Sequence, residues 1–251
     1  MSNTSLGAAH KGSKFQMQRL TLPENQNKFN EFMGEKFFWF SPLLEDKFRE
    51  YRMNSPILLK ELGISQTMKN KYLNSFWPSP QPQWDGIAWG NNNTLFLFEA
   101  KSHISEIAPG QDGDPENDKK KYDSIMLCAK QMFGIEDTDN NRYNWCKKYY
   151  QISNRIAFTN QLREIGKVSK VRYKKIITIF LNFVNDMTWE KEQLTVKSSE
   201  DWESHYNNIL EDLNINEVRL RKDNIYIVNF DLNLKSATII QYTIKGRFMS
   251  R

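Results

Sequence analysis

Cysteine is scarce: Cys128 and Cys146 are the only two in 251 residues, and neither sits in a CxxC pair or a Cys/His cluster. Two such residues exclude a disulfide framework and leave no structural zinc centre. The interior of the cell is therefore the expected compartment. Long apolar runs are missing as well. No stretch approaches the roughly 18 consecutive apolar residues of a membrane span, and the opening segment MSNTSLGAAHKGSKF lacks the apolar centre of a secretory leader. The expectation is a soluble, cytoplasmic protein without membrane association. Glycine and proline are few, 11 and 8, and no Ser- or Pro-rich tract divides the chain, so one domain over 1–251 is the simplest organisation. Neither a repeat at solenoid periods nor a Gly-rich phosphate loop is present, which sets aside repeat scaffolds and the common nucleotide-binding enzymes.

What is present is apolar material for one large core: 39% hydrophobic residues, with 16 Phe, 10 Tyr and 7 Trp. Lys and Arg outnumber Asp and Glu by 35 to 30, a formal charge of +5 with a pI near 9.0. So small an excess over so large a surface points only faintly to an anionic partner.

Thr21-Leu22-Pro23-Glu24 carries the signature of a capping box with proline in the first turn, which predicts a helix from about residue 22 into the aromatic stretch Phe37 to Phe40. Ser41-Pro42 and Ser55-Pro56 repeat the cap-then-proline signal, so the first third is expected to be largely helical. After Tyr72 the texture changes to FWPSPQPQWDGIAWGNNNTLFLFEAKSHISEI, where prolines break any helix and apolar residues flank an Asn run: strand, turn, strand. Residues 108–120 form a loop by composition. Two amphipathic helices follow between 117 and 166, the second closed by Gly166, and then a strand at 175–181 with apolar residues on both faces. A helix at about 199–213 and strands near 225–231 and 237–244 complete a mixed α/β order.

The chemistry concentrates on Trp84-Asp85-Gly86-Ile87 and, with thirteen residues between Asp85 and Glu99, on Glu99-Ala100-Lys101 at the end of Leu95 to Phe98. Strand alternation puts Glu99 and Lys101 on one face, about 6.6 Å apart. A three-residue turn through Asn91-Asn92-Asn93 would set Gly90 opposite Thr94 and Asp85 opposite Glu99, with Cβ atoms about 5 Å apart. A two-residue turn would set Asp85 against Phe98 and send it to the far face. Asn tolerates the left-handed backbone that the longer turn needs. Two carboxylates so close repel unless a cation lies between them, and hard oxygen ligands favour Mg²⁺ or Mn²⁺. The carbonyl of Ala100 offers a further ligand, and Lys101 stands beside the ion to orient or help deprotonate water and to offset phosphate charge. That set suffices for phosphodiester hydrolysis.

Asp85 followed by Glu99-Ala100-Lys101 on an apolar strand, then helix and strand, resembles the PD-(D/E)xK nuclease superfamily with its restriction endonuclease-like fold. The resemblance implies a core of helix, three-stranded meander, helix and strand (αβββαβ), a mixed central sheet flanked by helices, over about 22–184, with 185–251 as a C-terminal extension. It also implies that Asp85 and Glu99 bind the divalent ion and that Lys101 is the catalytic lysine. Trp84 stands where the superfamily name has proline, a position that many members vary.

The bland account of the same residues is a strand-end ion pair between Glu99 and Lys101, with Asp85 in a turn. Burial of charge without partners is costly enough to favour the metal site. Weaker assignments surround it. His103 continues the Glu99 face as a solvated residue or a phosphate contact. Gln151 and Arg155, four apart on the helix face turned away from Ile152 and Ile156, suit a phosphate clamp or an ordinary surface. An acid from the first region, Glu31, Glu35 or Glu45, would complete the metal shell as in some superfamily members. The run Phe37 to Phe40 reads as core, and Lys167, Lys170, Arg172, Lys174 and Lys175 as a solvated turn or a track for a DNA backbone.

The expected function is a Mg²⁺- or Mn²⁺-dependent nuclease acting on nucleic acid, with DNA as the first choice and a homodimer suited to double-strand cutting. The alternative is a non-catalytic module on the same fold that binds nucleic acid or a protein partner.

Overall fold

The strand Thr94–Lys101 (β3) is the axis of the molecule, and its eight residues TLFLFEAK are all buried. Apolar residues on both faces of a strand require cover on both sides, and β3 has it. In the computed structural model, which describes residues 7–107 and 115–233, β3 lies third in a five-stranded mixed sheet of order β1-β2-β3-β4-β5. Phe38–Ser41 (β1), Gly86–Gly90 (β2) and β3 form an antiparallel meander. Lys175–Val184 (β4) runs parallel to β3, and Ile225–Asp231 (β5) parallel to β4. A parallel step needs a crossover, and helices supply both. Pro115–Phe133 (α5), Asp139–Tyr143 (α6) and Tyr150–Val168 (α7) connect β3 to β4, and Ser199–Asp212 (α8) with Glu217–Lys222 (α9) connects β4 to β5.

Two apolar layers sandwich the sheet. On one face Ala88, Phe96, Phe98, Ile177 and Ile179 pack under Gly12–Leu20 (α1) and Pro23–Met33 (α2) through Met17, Leu20, Phe29 and Met33. The other face packs Ile87, Leu95, Leu97, Ile176 and Phe180 against α5, α7 and α8, together with Leu58, Leu59 and Leu62 of Pro56–Leu62 (α3). The short Gln66–Met68 (α4) follows α3. Among the described residues no helix is long and apolar enough to cross a membrane.

The sequence expectation fails in the first third. The helix that begins at Pro23 ends at Met33, because Gly34 takes a left-handed conformation (φ 64°) and caps it. The aromatic run then becomes edge strand β1 from Phe38 on; Phe37, just before it, packs edge-on against Phe96 with ring centroids 4.9 Å apart, while Phe38 is exposed. Thr21 is no N-cap: its hydroxyl donates to the Gln18 carbonyl at the end of α1, a helix that the sequence reading did not anticipate. Pro42 opens no α-helix, whereas Pro56 does, and Gly63 stops it. Farther on, α5 already begins at Pro115, inside the expected 108–120 loop, and α7 runs two residues past Gly166. The expected strand at 237–244 lies outside the described residues.

Cys128 and Cys146 are free and buried, and burial pushes each thiol up to about 12. Only the thiolate reacts. In the native protein near pH 8 a disulfide reagent should therefore leave both unmodified, and denaturant should release two reactive thiols. Prompt reaction of either without denaturant would contradict their burial.

Candidate active site

Hairpin geometry sets the site. The turn takes the three-residue form: Asn92 and Asn93 both adopt left-handed backbone (φ 56° and 57°), and Gly90 pairs with Thr94. The ladder continues to Gly86 opposite Phe98, and Asp85 N–H donates to the Phe98 carbonyl at 3.1 Å. The regular pairing ends there, with the Asp85 N–H bonded one residue short of Glu99 and the Glu99 charge still close enough to act on the Asp85 carboxyl. Gly86 permits the close approach of α1 here, since a Cβ on it would lie 2.5 Å from Met17 Cε. Asp85 Oδ2 accepts a hydrogen bond of 2.8 Å from the Ala100 N–H. In a strand, one residue's N–H and C=O leave along the same edge, so the Ala100 carbonyl is also directed to the edge where Asp85 stands.

Glu99 is bound from two sides. Lys101 Nζ lies 2.6 Å from Oε1, and Arg155 Nε, reaching over from α7, lies 2.6 Å from Oε2. Burial works against the Glu99 carboxylate, but Arg155 and Lys101 outweigh it and hold its pKa below the ordinary value. Lys101 is the mirror case: burial favours the neutral amine, yet Glu99 and Asp85 together raise its pKa. In this arrangement it is a charged donor to Glu99. Asp85 has no ion-pair cation of its own among the described residues, and burial with the nearby Glu99 charge pushes its carboxyl up to about 7.

A third acid is Glu50, not one of the three expected from the first region. The stretch around Tyr51 to Met53 runs antiparallel to Pro82 to Trp84, with Arg52 paired to Gln83, which brings Glu50 alongside Asp85. Glu50 Oε2 accepts 2.6 Å from Gln83 Nε2, Lys14 of α1 lies 3.8 Å from Oε1, and burial raises its pKa. Both Asp85 and Glu99 act on it or feel it electrostatically. Glu31 and Glu45 are exposed, and Glu35 is occupied at the other end of the hairpin, accepting from Asn91 N at 3.0 Å and Asn91 Nδ2 at 2.7 Å. No local motif marks Glu50; the proline-broken QPQWD segment was the available hint that an extended partner strand was needed.

The remaining candidates separate. His103 is buried, not solvated: its Nδ1 accepts from Ser105 N–H and lies 2.6 Å from Ser105 Oγ, capping a short 3₁₀ turn. Arg155 is not on an outward face either, because α7 is buried almost all round between Ile152 and Thr159. Its guanidinium also donates to the Gln83 carbonyl (2.8 Å) and sits 5.1 Å over the Trp84 ring, so Trp84 supports the site where proline was absent. Gln151 lines a cleft beside Arg155. Lys174 and Lys175 lie next to Thr94 in the sheet, seven residues from the level of Lys101, roughly 23 Å away at 3.3 Å per residue. That basic cluster is therefore at the opposite end of the sheet from the carboxylates, and its Arg172 pairs with Glu61 at 2.8 Å.

Among the described residues no three His, Cys, Asp or Glu side chains converge tightly enough to hold an ion by themselves. A pair of carboxylates, one of them without an ion-pair partner among the described residues and rendered costly to ionise, fits Mg²⁺ or Mn²⁺ all the same, since Mg²⁺ keeps several waters and takes only one or two carboxylates. No family model, curated protein or solved structure matches the chain.

Proposed function

We propose that the chain is a Mg²⁺- or Mn²⁺-dependent nuclease of the PD-(D/E)xK type, hydrolysing phosphodiester bonds in DNA. The observation that carries this reading is Asp85 at the end of the β2–β3 ladder, close enough to feel the Glu99 charge and without an ion-pair partner among the described residues, while Lys101 reaches Glu99 at 2.6 Å. Support at the level of the fold comes from the order helix, antiparallel meander, helix, parallel strand. Asp85, Glu99 and the Ala100 carbonyl would hold the ion, with Glu50 near enough to reach it through water. The ion supplies Lewis-acid polarisation of the phosphoryl oxygen and a more acidic bound water. Lys101 contributes a charged donor for a non-bridging phosphate oxygen as water adds to phosphorus and the bond to the leaving sugar oxygen breaks. Arg155 keeps the Glu99 carboxylate oriented from the α7 side.

The test is cleavage of supercoiled and single-stranded circular DNA in Mg²⁺ or Mn²⁺. Asp85→Ala, Glu99→Gln and Lys101→Ala should each lose about 100-fold or more, and EDTA should stop the wild type. Equal cleavage by all four proteins would refute the assignment.

One observation favours a second reading. Glu99 is already balanced by Lys101 and Arg155, as in a buried ion cluster that ties the meander to α7 in a protein that binds nucleic acid without cutting it. In that case calorimetry with Mn²⁺ shows no binding heat, and Glu99→Gln leaves nucleic-acid affinity intact.

A further inference from the structure

Next to Glu99 the 80–83 segment and helices α5 and α7 enclose a cleft of about 370 Å³, within the range of roughly 300–1,000 Å³ usual for small-ligand sites. Arg155 and Gln83 line it while also touching the carboxylate cluster. Whatever occupies the cleft is thus one side chain away from Glu99.

Its lining has three kinds of chemistry. Arg52 and Arg155 bring positive charge, Arg52 being fixed by the Gln81 carbonyl at 3.1 Å, while Lys121 is paired at 2.9 Å with Asp118, which lines the cleft as well. Tyr150 offers a half-buried aromatic face, braced by Trp77 and Tyr122 at ring-centroid distances of 6.3 and 6.4 Å. Gln81 and Gln151 each carry a buried side-chain oxygen with no hydrogen-bond partner among the described residues, and Gln81 is only 1% exposed. A buried acceptor left without a donor costs about 1–3 kcal/mol. Two of them on one cleft call for a ligand that arrives with N–H groups. Positive charge, an aromatic face and waiting acceptors together suit a nucleotide whose base bears an exocyclic amine.

A base inside a duplex has its amine engaged by its partner and its faces covered by its neighbours, so it cannot offer these groups to a pocket. We propose that the cleft receives one unpaired, amine-bearing base of the strand being cut. Gln81 and Gln151 accept from it, Tyr150 lies against its face, and Arg52 and Arg155 stand near the flanking phosphates. The proposal rests on the nuclease reading and deepens it: the substrate class is single-stranded or locally opened nucleic acid.

Fluorescence anisotropy with labelled oligo-dC, oligo-dT and a blunt duplex of equal length, in Ca²⁺ in place of Mg²⁺ and with integrity checked on gels, reads the pocket independently of cleavage. Wild type should bind oligo-dC about tenfold tighter than the duplex and about threefold tighter than oligo-dT, which lacks the amine. Tyr150→Leu and Gln151→Met should each weaken oligo-dC binding by roughly threefold to tenfold without changing duplex affinity. Gln81→Met provides the same test on the more buried amide, with near-UV circular dichroism confirming the fold. Duplex binding as tight as oligo-dC, no binding of oligo-dC, or wild-type oligo-dC affinity in the Tyr150 and Gln151 variants would overturn the proposal. Selective oligo-dC binding with no cleavage of any DNA in Mg²⁺ or Mn²⁺ would sink the nuclease reading and support the pocket. Cleavage without any preference for unpaired bases would do the reverse.

Discussion

Asp85→Asn is expected to make the metal-free protein harder to unfold near pH 8 while abolishing its response to Mg²⁺ or Mn²⁺. The Asp85 carboxyl is pushed up to about 7 by burial and by the neighbouring Glu99 charge, whereas in the unfolded chain it would titrate near 4. The folded state therefore keeps this proton longer than the unfolded state does. Below about pH 4 both states are protonated and the group imposes no penalty. Between about 4 and 7 stability falls as the pH rises, and above 7 the deficit persists in full. Asn removes the ionisation while its carbonyl can still accept from the Ala100 N–H, as Asp85 Oδ2 does at 2.8 Å. In EDTA the variant should melt at the wild-type temperature near pH 4 and well above it at pH 8. Saturating Mn²⁺ should raise only the wild type, by about 2.7 kcal/mol at a hundred times its Kd. A variant that melts lower than wild type at pH 8 in EDTA would show that the Asp85 carboxylate is not under the strain described.

Legibility in the sequence followed how local each determinant was. The proximity of Asp85 to Glu99 depends on one turn and on period-two alternation, both of which act within fifteen residues, and Asn92 and Asn93 take the left-handed backbone that such a turn requires. The β4 strand, α8 and β5 were readable for the same reason, as runs whose patterns need no distant partner. Phe37 to Phe40 misled because an aromatic run suits a buried helix and an edge strand equally well, and the stop at Gly34 decided between them. Glu50 was illegible for a deeper reason. It reaches Asp85 through an isolated pairing of Arg52 with Gln83, across thirty-one positions of chain, with no periodic pattern on either side. Arg155 belongs to the same class: helical periodicity assigns it to an outer face, yet α7 is enclosed by α5, the sheet and the 80–83 segment, so the outer face is interior.

Arg155→Ala is expected to destabilise the metal-free protein strongly and at the same time to tighten its grip on a divalent ion. The side chain makes a 2.6 Å pair with Glu99 Oε2, donates 2.8 Å to the Gln83 carbonyl and covers the Trp84 ring. Its loss leaves a buried carboxylate facing Asp85 with only Lys101 to balance it, and breaking a buried pair in this way costs about 3–5 kcal/mol. For a chain of this size that corresponds to a fall in Tm of roughly 10 °C. The same loss removes a positive charge from the edge of the cation site and increases the repulsion between Glu99 and Asp85, both of which favour an incoming Mn²⁺. Calorimetry should therefore give a lower Kd for the variant than for wild type, and Mn²⁺ should recover part of the lost Tm. Arg155→Lys, which keeps the charge but not the forked geometry, should fall between the two in both measurements. If Mn²⁺ leaves the melting of Arg155→Ala unchanged, the cluster of Glu99, Lys101 and Arg155 is an ion-pair network and not the wall of a metal site. If Mn²⁺ rescues the variant more than it stabilises the wild type, Arg155 holds the carboxylates together until the ion takes over that task.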